Sequence, residues 1–138
     1  MKEKPGKDVS FTLKDVEFLL ATTENEVGAL VSIYVIVPTP GEYKKLIDGI
    51  KQFCIFCSNQ LRRGFTLEKL MCDANFLDEY TDSDPKGEMI INGEYQTIAL
   101  SPYHAIFETL RWLGYGSNVT DLNFERQRRI LLQKTEDS

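Results

Sequence analysis

Residues Gly41 to Leu70, GEYKKLIDGIKQFCIFCSNQLRRGFTLEKL, constrain this chain more than any other stretch. Tyr43, Leu46, Ile47, Ile50, Phe53, Cys54, Cys57 and Leu61 recur there at three- and four-residue steps, the spacing that puts side chains on one helical face. Ile55 and Phe56 widen that face until little of the middle is left for water. The pattern predicts a core helix with sheet on one side and another helix or a second subunit on the other. Its end falls at Arg62-Arg63-Gly64, where basic residues meet the negative end of the helix dipole and glycine takes the left-handed cap. Thr66 then opens a short helix to about Cys72.

Strands precede this helix. Val9 to Leu13 and Val16 to Thr22 are rich in Val, Phe, Leu and Thr, and Lys14-Asp15 between them suits a tight hairpin. After the turn residues Glu24 to Gly28, Ala29 to Val37 is almost wholly apolar and β-branched, which predicts a strand buried on both faces, central in its sheet or at an interface. Three strands joined by short links make an antiparallel meander. Pro38-Thr39-Pro40 breaks both patterns and marks the passage from sheet to helix.

The stretch from Asp73 to Gln96 reads as irregular and acidic, with DEYTDSDPKGE its most polar part. Met89 to Ile91 and Tyr95 to Ala99 flank Asn92-Gly93, the dipeptide favoured in a type I′ hairpin turn. Ser101-Pro102 is a helix start, Ser as N-cap and Pro at the first helical position. Tyr103, Ile106, Phe107, Leu110 and Leu113 mark one face of that helix, and Gly114 and Gly116 end it. Leu122, Phe124, Ile130, Leu131 and Leu132 among charges predict a last amphipathic helix over 121–134. The expected fold is α+β: a three-stranded antiparallel meander, a long core helix, a short helix, a small hairpin and a C-terminal helix. It forms one domain over 9–116, with 1–8 a disordered lead-in and 117–138 a helical tail.

A chain of 138 residues, 42% of them apolar, is long enough to build one such core. Its net charge of −5 argues against gripping nucleic acid over a broad surface, which takes a clustered positive face. No apolar run reaches the roughly 18 residues of a membrane span, and a soluble cytoplasmic protein with no membrane partner is expected. Cys54, Cys57 and Cys72 are an odd number of thiols in apolar helical surroundings, which predicts free, packed cysteines. Cys54 and Cys57 form a mid-helix CxxC, but zinc needs a second ligand pair and the chain adds only Cys72 and His104. No metal and no cofactor are expected.

The order of elements, with LRRGFTLEKL at 61–70 and IFETLRWL at 106–113, resembles the TSCPD family, the C-terminal domain of adenosylcobalamin-dependent ribonucleotide reductases that also occurs as small free-standing proteins. The likeness covers roughly residues 9–116. The family's Phe-Glu-Pro-x-Gly loop is replaced here by Tyr80 to Gly87, of which only Pro85-Lys86-Gly87 is similar. Since the reductase's radical chemistry belongs to its large barrel domain, the resemblance implies a non-catalytic accessory.

Six residues are candidates for binding a ligand. Arg62 and Arg63 at a helix end have the fork geometry to clamp a phosphate, and equally serve to complement the dipole. Lys86 beside Gly87 offers a cation and a backbone N–H to an anion, or is an ordinary turn. His104 sits in the first turn of its helix, where a bound phosphate would meet it and the exposed amides together, or is a partly exposed helix residue. Arg111 and Trp112 supply a cation and a stacking platform for a base, or belong to a core or interface. No hydrolase, metalloprotease or phosphate-loop motif is present, so no catalytic residue is assigned.

Together these predict a non-enzymatic module that binds a nucleotide or another small anion, for example one that sequesters a signalling nucleotide in a phage or its host, and that forms a homodimer or larger. The alternative is a protein-interaction or regulatory module associated with ribonucleotide reductase, with no small-molecule ligand. A small hydrolase or phosphodiesterase using His104 and the acidic loop ranks behind both.

Overall fold

The computed structural model describes residues 2–38, 44–72 and 86–115. Its first strand, β1, is Lys4–Pro5, paired antiparallel with the end of β3, Val16–Glu24. Residues 1–8, expected as a disordered lead-in, are thus corrected over 2–8. The Gly6 N–H donates to the Thr22 carbonyl at 2.8 Å, and Glu3 reaches Arg62. A two-residue strand is too short for any periodicity to announce it.

β2, Val9–Leu13, forms the expected hairpin with β3. Its turn places Lys14 at φ 53°, as tight hairpin turns demand. β4, Leu30–Ile36, pairs with the other side of β3, completing the meander. β5, Gly87–Ile91, and β6, Tyr95–Ala99, form the second hairpin around Asn92 and Gly93, both at positive φ, with Glu94 N–H donating to the Ile91 carbonyl at 3.1 Å. β5 pairs with β2, so both hairpins join one antiparallel sheet, β4-β3-β2-β5-β6, with β1 lying along β3 past the start of β2.

Two helices lie on the sheet. α1, Lys44–Arg62, packs on β4, and α3, Pro102–Trp112, packs on β6, β5 and β2. α2, Leu67–Cys72, is the short helix after α1. α1 ends in the expected glycine cap: Gly64 is at φ 95°, its N–H donates to the Leu61 carbonyl, and the Phe65 N–H donates to the Gln60 carbonyl. Ser101 accepts the His104 N–H on its side chain, capping α3 with Pro102 next in line.

Between sheet and helices the core is continuous. Phe11 stacks on Phe18 across β2 and β3 at 4.9 Å, and Phe53 of α1 meets Phe107 of α3 edge to face at 5.5 Å. The buried stripe of α1 runs through Leu46, Ile50, Phe53, Cys54, Cys57, Ser58 and Leu61. It is narrower than the sequence implied, because Ile55 and Phe56 are exposed.

Of the two places expected for β4, central in the sheet or at an interface, the first is corrected. β3, β2 and β5 are interior, and β4 stands at the margin of the described sheet, with Tyr34 and Ile36 exposed. α1 does what a further strand would do along that margin. Ser58 Oγ accepts the Ile33 N–H at 3.1 Å and donates to the Ile33 carbonyl at 3.3 Å, and the Val35 N–H donates to the Cys54 sulfur. A helix over a strand margin satisfies its backbone and blocks edge-to-edge pairing. The predicted tail helix over 121–134 and residues 73–85 of the predicted acidic stretch lie outside the described residues, and the rest of that stretch, 86–96, belongs to the β5–β6 hairpin and its approach.

Candidate functional site

Five of the six candidates fall into two groups, and Lys86 stands apart ahead of β5. At the end of α1, Arg62 makes a two-pronged ion pair with Glu3, Nε to Oε1 at 2.9 Å and Nη2 to Oε2 at 3.2 Å. The guanidinium holds the Glu3 carboxyl below the usual carboxylate range, and the carboxylate in turn raises Arg62. The pair is solvated, so screening keeps it weak and separable. Arg63 is exposed and pairs with no acid among the described residues.

On α3, Glu108 joins two other candidates. His104 Nδ1 accepts the Leu100 N–H at 2.8 Å, which places the imidazole proton on Nε2, 3.3 Å from Glu108 Oε1. Arg111 Nη1 stands 3.5 Å from the same oxygen. His104 and its cap Ser101 are both 0% exposed. This corrects the expected phosphate site at that helix start. The first-turn N–H is taken by Ser101, and His104 faces the core, beyond the reach of a ligand at the surface. Trp112 lies at the surface beside Arg111, and Lys86, ahead of β5, is half-buried and engaged. Cys54 and Cys57 are buried and unpaired, and burial pushes both thiols up to about 12, far from a reactive thiolate. No cluster of metal-ligating side chains occurs among the described residues, and no described helix is long and apolar enough to cross a membrane.

A groove of about 410 Å³ opens between the β3–β4 turn, the α1–α2 junction and the end of α3, lined by Asn25, Val31, Leu61, Phe65, Thr66 and Tyr115 among others. Tyr115 anchors one wall. Its hydroxyl donates to the Glu24 carboxylate, lies 3.2 Å from Thr22 Oγ1, and accepts the Lys7 N–H at 3.4 Å. Burial and the Glu24 bond raise the Tyr115 phenol above its ordinary value. The Lys7 ammonium donates to the Leu113 carbonyl at 2.8 Å, at the negative end of α3. α1 and α3 both end at this groove beside Glu24, so its potential favours donors and cations over anions. The sequence carried no signal for this network, since Lys7, Thr22, Glu24 and Tyr115 come together only through tertiary pairing.

A second surface is more open. By strand register, Ser10, Thr12, Glu17, Leu19, Ala21, Thr23, Ser32, Tyr34, Ile36, Glu88, Ile90, Gln96 and Ile98 point away from α1 and α3. None of them is buried. Leu19 sits opposite Ile36, and Ala21 opposite Tyr34, so an apolar group occupies the β3–β4 corner with Leu19 38%, Ile36 45% and Tyr34 57% exposed. The sequence does not announce this face, because Phe18-Leu19-Leu20-Ala21 and Ile33-Tyr34-Val35-Ile36 are apolar runs without alternation, and only the strand pairing sorts their two sides. No protein-family model, curated protein or solved structure matches the chain.

Proposed function

We propose that this protein is a non-catalytic association module that engages another protein through the open face of its sheet. The observation that supports it is the contiguous group of Leu19, Tyr34 and Ile36, exposed on a face that no described helix covers. Aromatic and aliphatic side chains grouped this way gain most when a partner removes them from water. The fate of the candidate cations favours the same reading, because Arg62 and Arg111 meet acids of their own chain and His104 is sealed. The resemblance of residues 9–116 to TSCPD domains, with its implied accessory role, is part of this proposal.

The test compares wild type with an L19S/Y34S/I36S variant whose melting temperature matches it. Proteins retained by wild type and released by the variant support the reading, and identical retention overturns it. Self-association is one form of the proposal, and light scattering returns a mass above 15.8 kDa if it holds.

One observation favours the nucleotide reading as a second. Lys69 Nζ lies 5.1 Å over the 40%-exposed ring of Phe65, which lines the 410 Å³ groove, so a cation and a stacking surface meet at one edge, against the helix ends and carboxylate beside the rest of it. Titration with mono-, di- and cyclic nucleotides decides it. A ligand at a hundredfold excess over its dissociation constant stabilises the fold by ~2.7 kcal/mol, and no heat with no melting shift removes this reading.

A further inference from the structure

The charge of the open face is one-sided. Its outward strand positions carry two ionised side chains, Glu17 on β3 and Glu88 on β5, and no Lys or Arg. Both glutamates are exposed, and among the described residues the base beside them is Lys14 at the β2–β3 turn, whose backbone N–H donates to the Glu88 carbonyl at 2.9 Å. Glu17 is two residues from Leu19 along β3, which places a carboxylate about 7 Å from the apolar group, the rise of two strand residues. Among the described residues, a second copy would bring the same acids to the contact and no base on its outward strand positions, which disfavours face-to-face self-docking relative to a cationic partner.

We infer that the open face takes a partner segment in which an apolar anchor is followed, about 7 Å along, by Lys or Arg. The anchor fills the Leu19–Tyr34–Ile36 corner and the cation meets Glu17 or Glu88. That spacing corresponds to i, i+2 on a strand or i, i+4 on a helix. This inference rests on the association reading above and adds the partner's chemistry.

Labelled short peptides with one apolar pattern and Lys, Gln or Glu at the charged positions test it by fluorescence anisotropy against the full chain. Roughly tenfold tighter binding of the Lys peptide than the Glu peptide is expected from two surface pairs, with the gap narrowing at high salt. E17K/E88K reverses the order, and L19S/I36S abolishes binding of all three peptides. Equal binding of the three peptides, lost in L19S/I36S, overturns the cationic partner and leaves the association reading standing. A dimer that L19S/I36S dissociates also overturns it, naming a second copy as the occupant. Undetectable binding of every peptide, with retention of proteins unchanged by the surface variant, ends both.

Discussion

Phe18 and Leu20 on β3 are sealed beneath the helices, whereas Leu19, between them in the chain, stands at the open face. The same contrast repeats on β4, where Ile33 and Val35 are buried and Tyr34 and Ile36 are not. One face of this sheet is therefore the core of the protein, and the other is a surface with core-like residues at one corner. Identical residue types do opposite work on the two sides, and only position relative to α1 and α3 separates them. Burial of a large aliphatic or aromatic side chain contributes about 1.5–3 kcal/mol, so the inner face holds the fold together while the outer residues keep that free energy for a partner.

Substitutions break this comparison in proportion to depth. Phe107→Ala, at a fully buried ring against Phe53, should cost about 3–5 kcal/mol in chemical denaturation, with the transition shifted and its slope retained. Alkali attacks the same side. The thiols of Cys54 and Cys57 titrate near 9 in the unfolded chain and about 12 in the folded one, so the unfolded state loses protons first and stability falls as pH rises through that window. At pH 10 the pair should account for about 2–3 kcal/mol, and the raised phenol of Tyr115 adds loss of the same sign above its ordinary range. Denaturation at pH 8 and pH 10 of wild type and of a C54A/C57A variant measures the thiols' share.

Ser58→Ala removes both bonds to Ile33 and leaves a buried N–H and carbonyl unsatisfied, at about 1–3 kcal/mol. Hydrogen exchange sharpens the point, because the Ile33 amide should lose protection in that variant while the β2–β3 ladder keeps it. The smallest effect belongs to the open face, where Leu19→Ser and Ile36→Ser should each stay within about 0.5 kcal/mol of wild type.

Local chemistry was legible in the sequence. The three-and-four spacing of Leu46 to Leu61, the glycine cap at Gly64, the Ser101-Pro102 start and the Asn92-Gly93 turn all act within a few residues, and each stands where its chemistry puts it. Long-range pairing was not. Ala29 to Val37 is apolar enough for a central strand, yet β4 lies at the margin because Ser58 and Cys54 of α1 take up the backbone bonds of Ile33 and Val35. His104 occupies a helix start that in isolation would face a ligand, and the packing of α3 on β5, β6 and β2 turned it inward. Among the site candidates, only Arg62, Arg63 and Trp112 remain at the surface; Glu108 and Arg111 are an i, i+3 pair that the helical pattern joins, whereas Glu3 is 59 residues from Arg62 with nothing local to join them.

The division of labour between the two faces is tested most directly by measuring stability and cationic-peptide binding on one L19S/I36S protein. The account predicts a denaturation midpoint close to wild type together with loss of peptide binding. A midpoint displaced as far as that of Phe107→Ala, or peptide binding at wild-type strength, would contradict it.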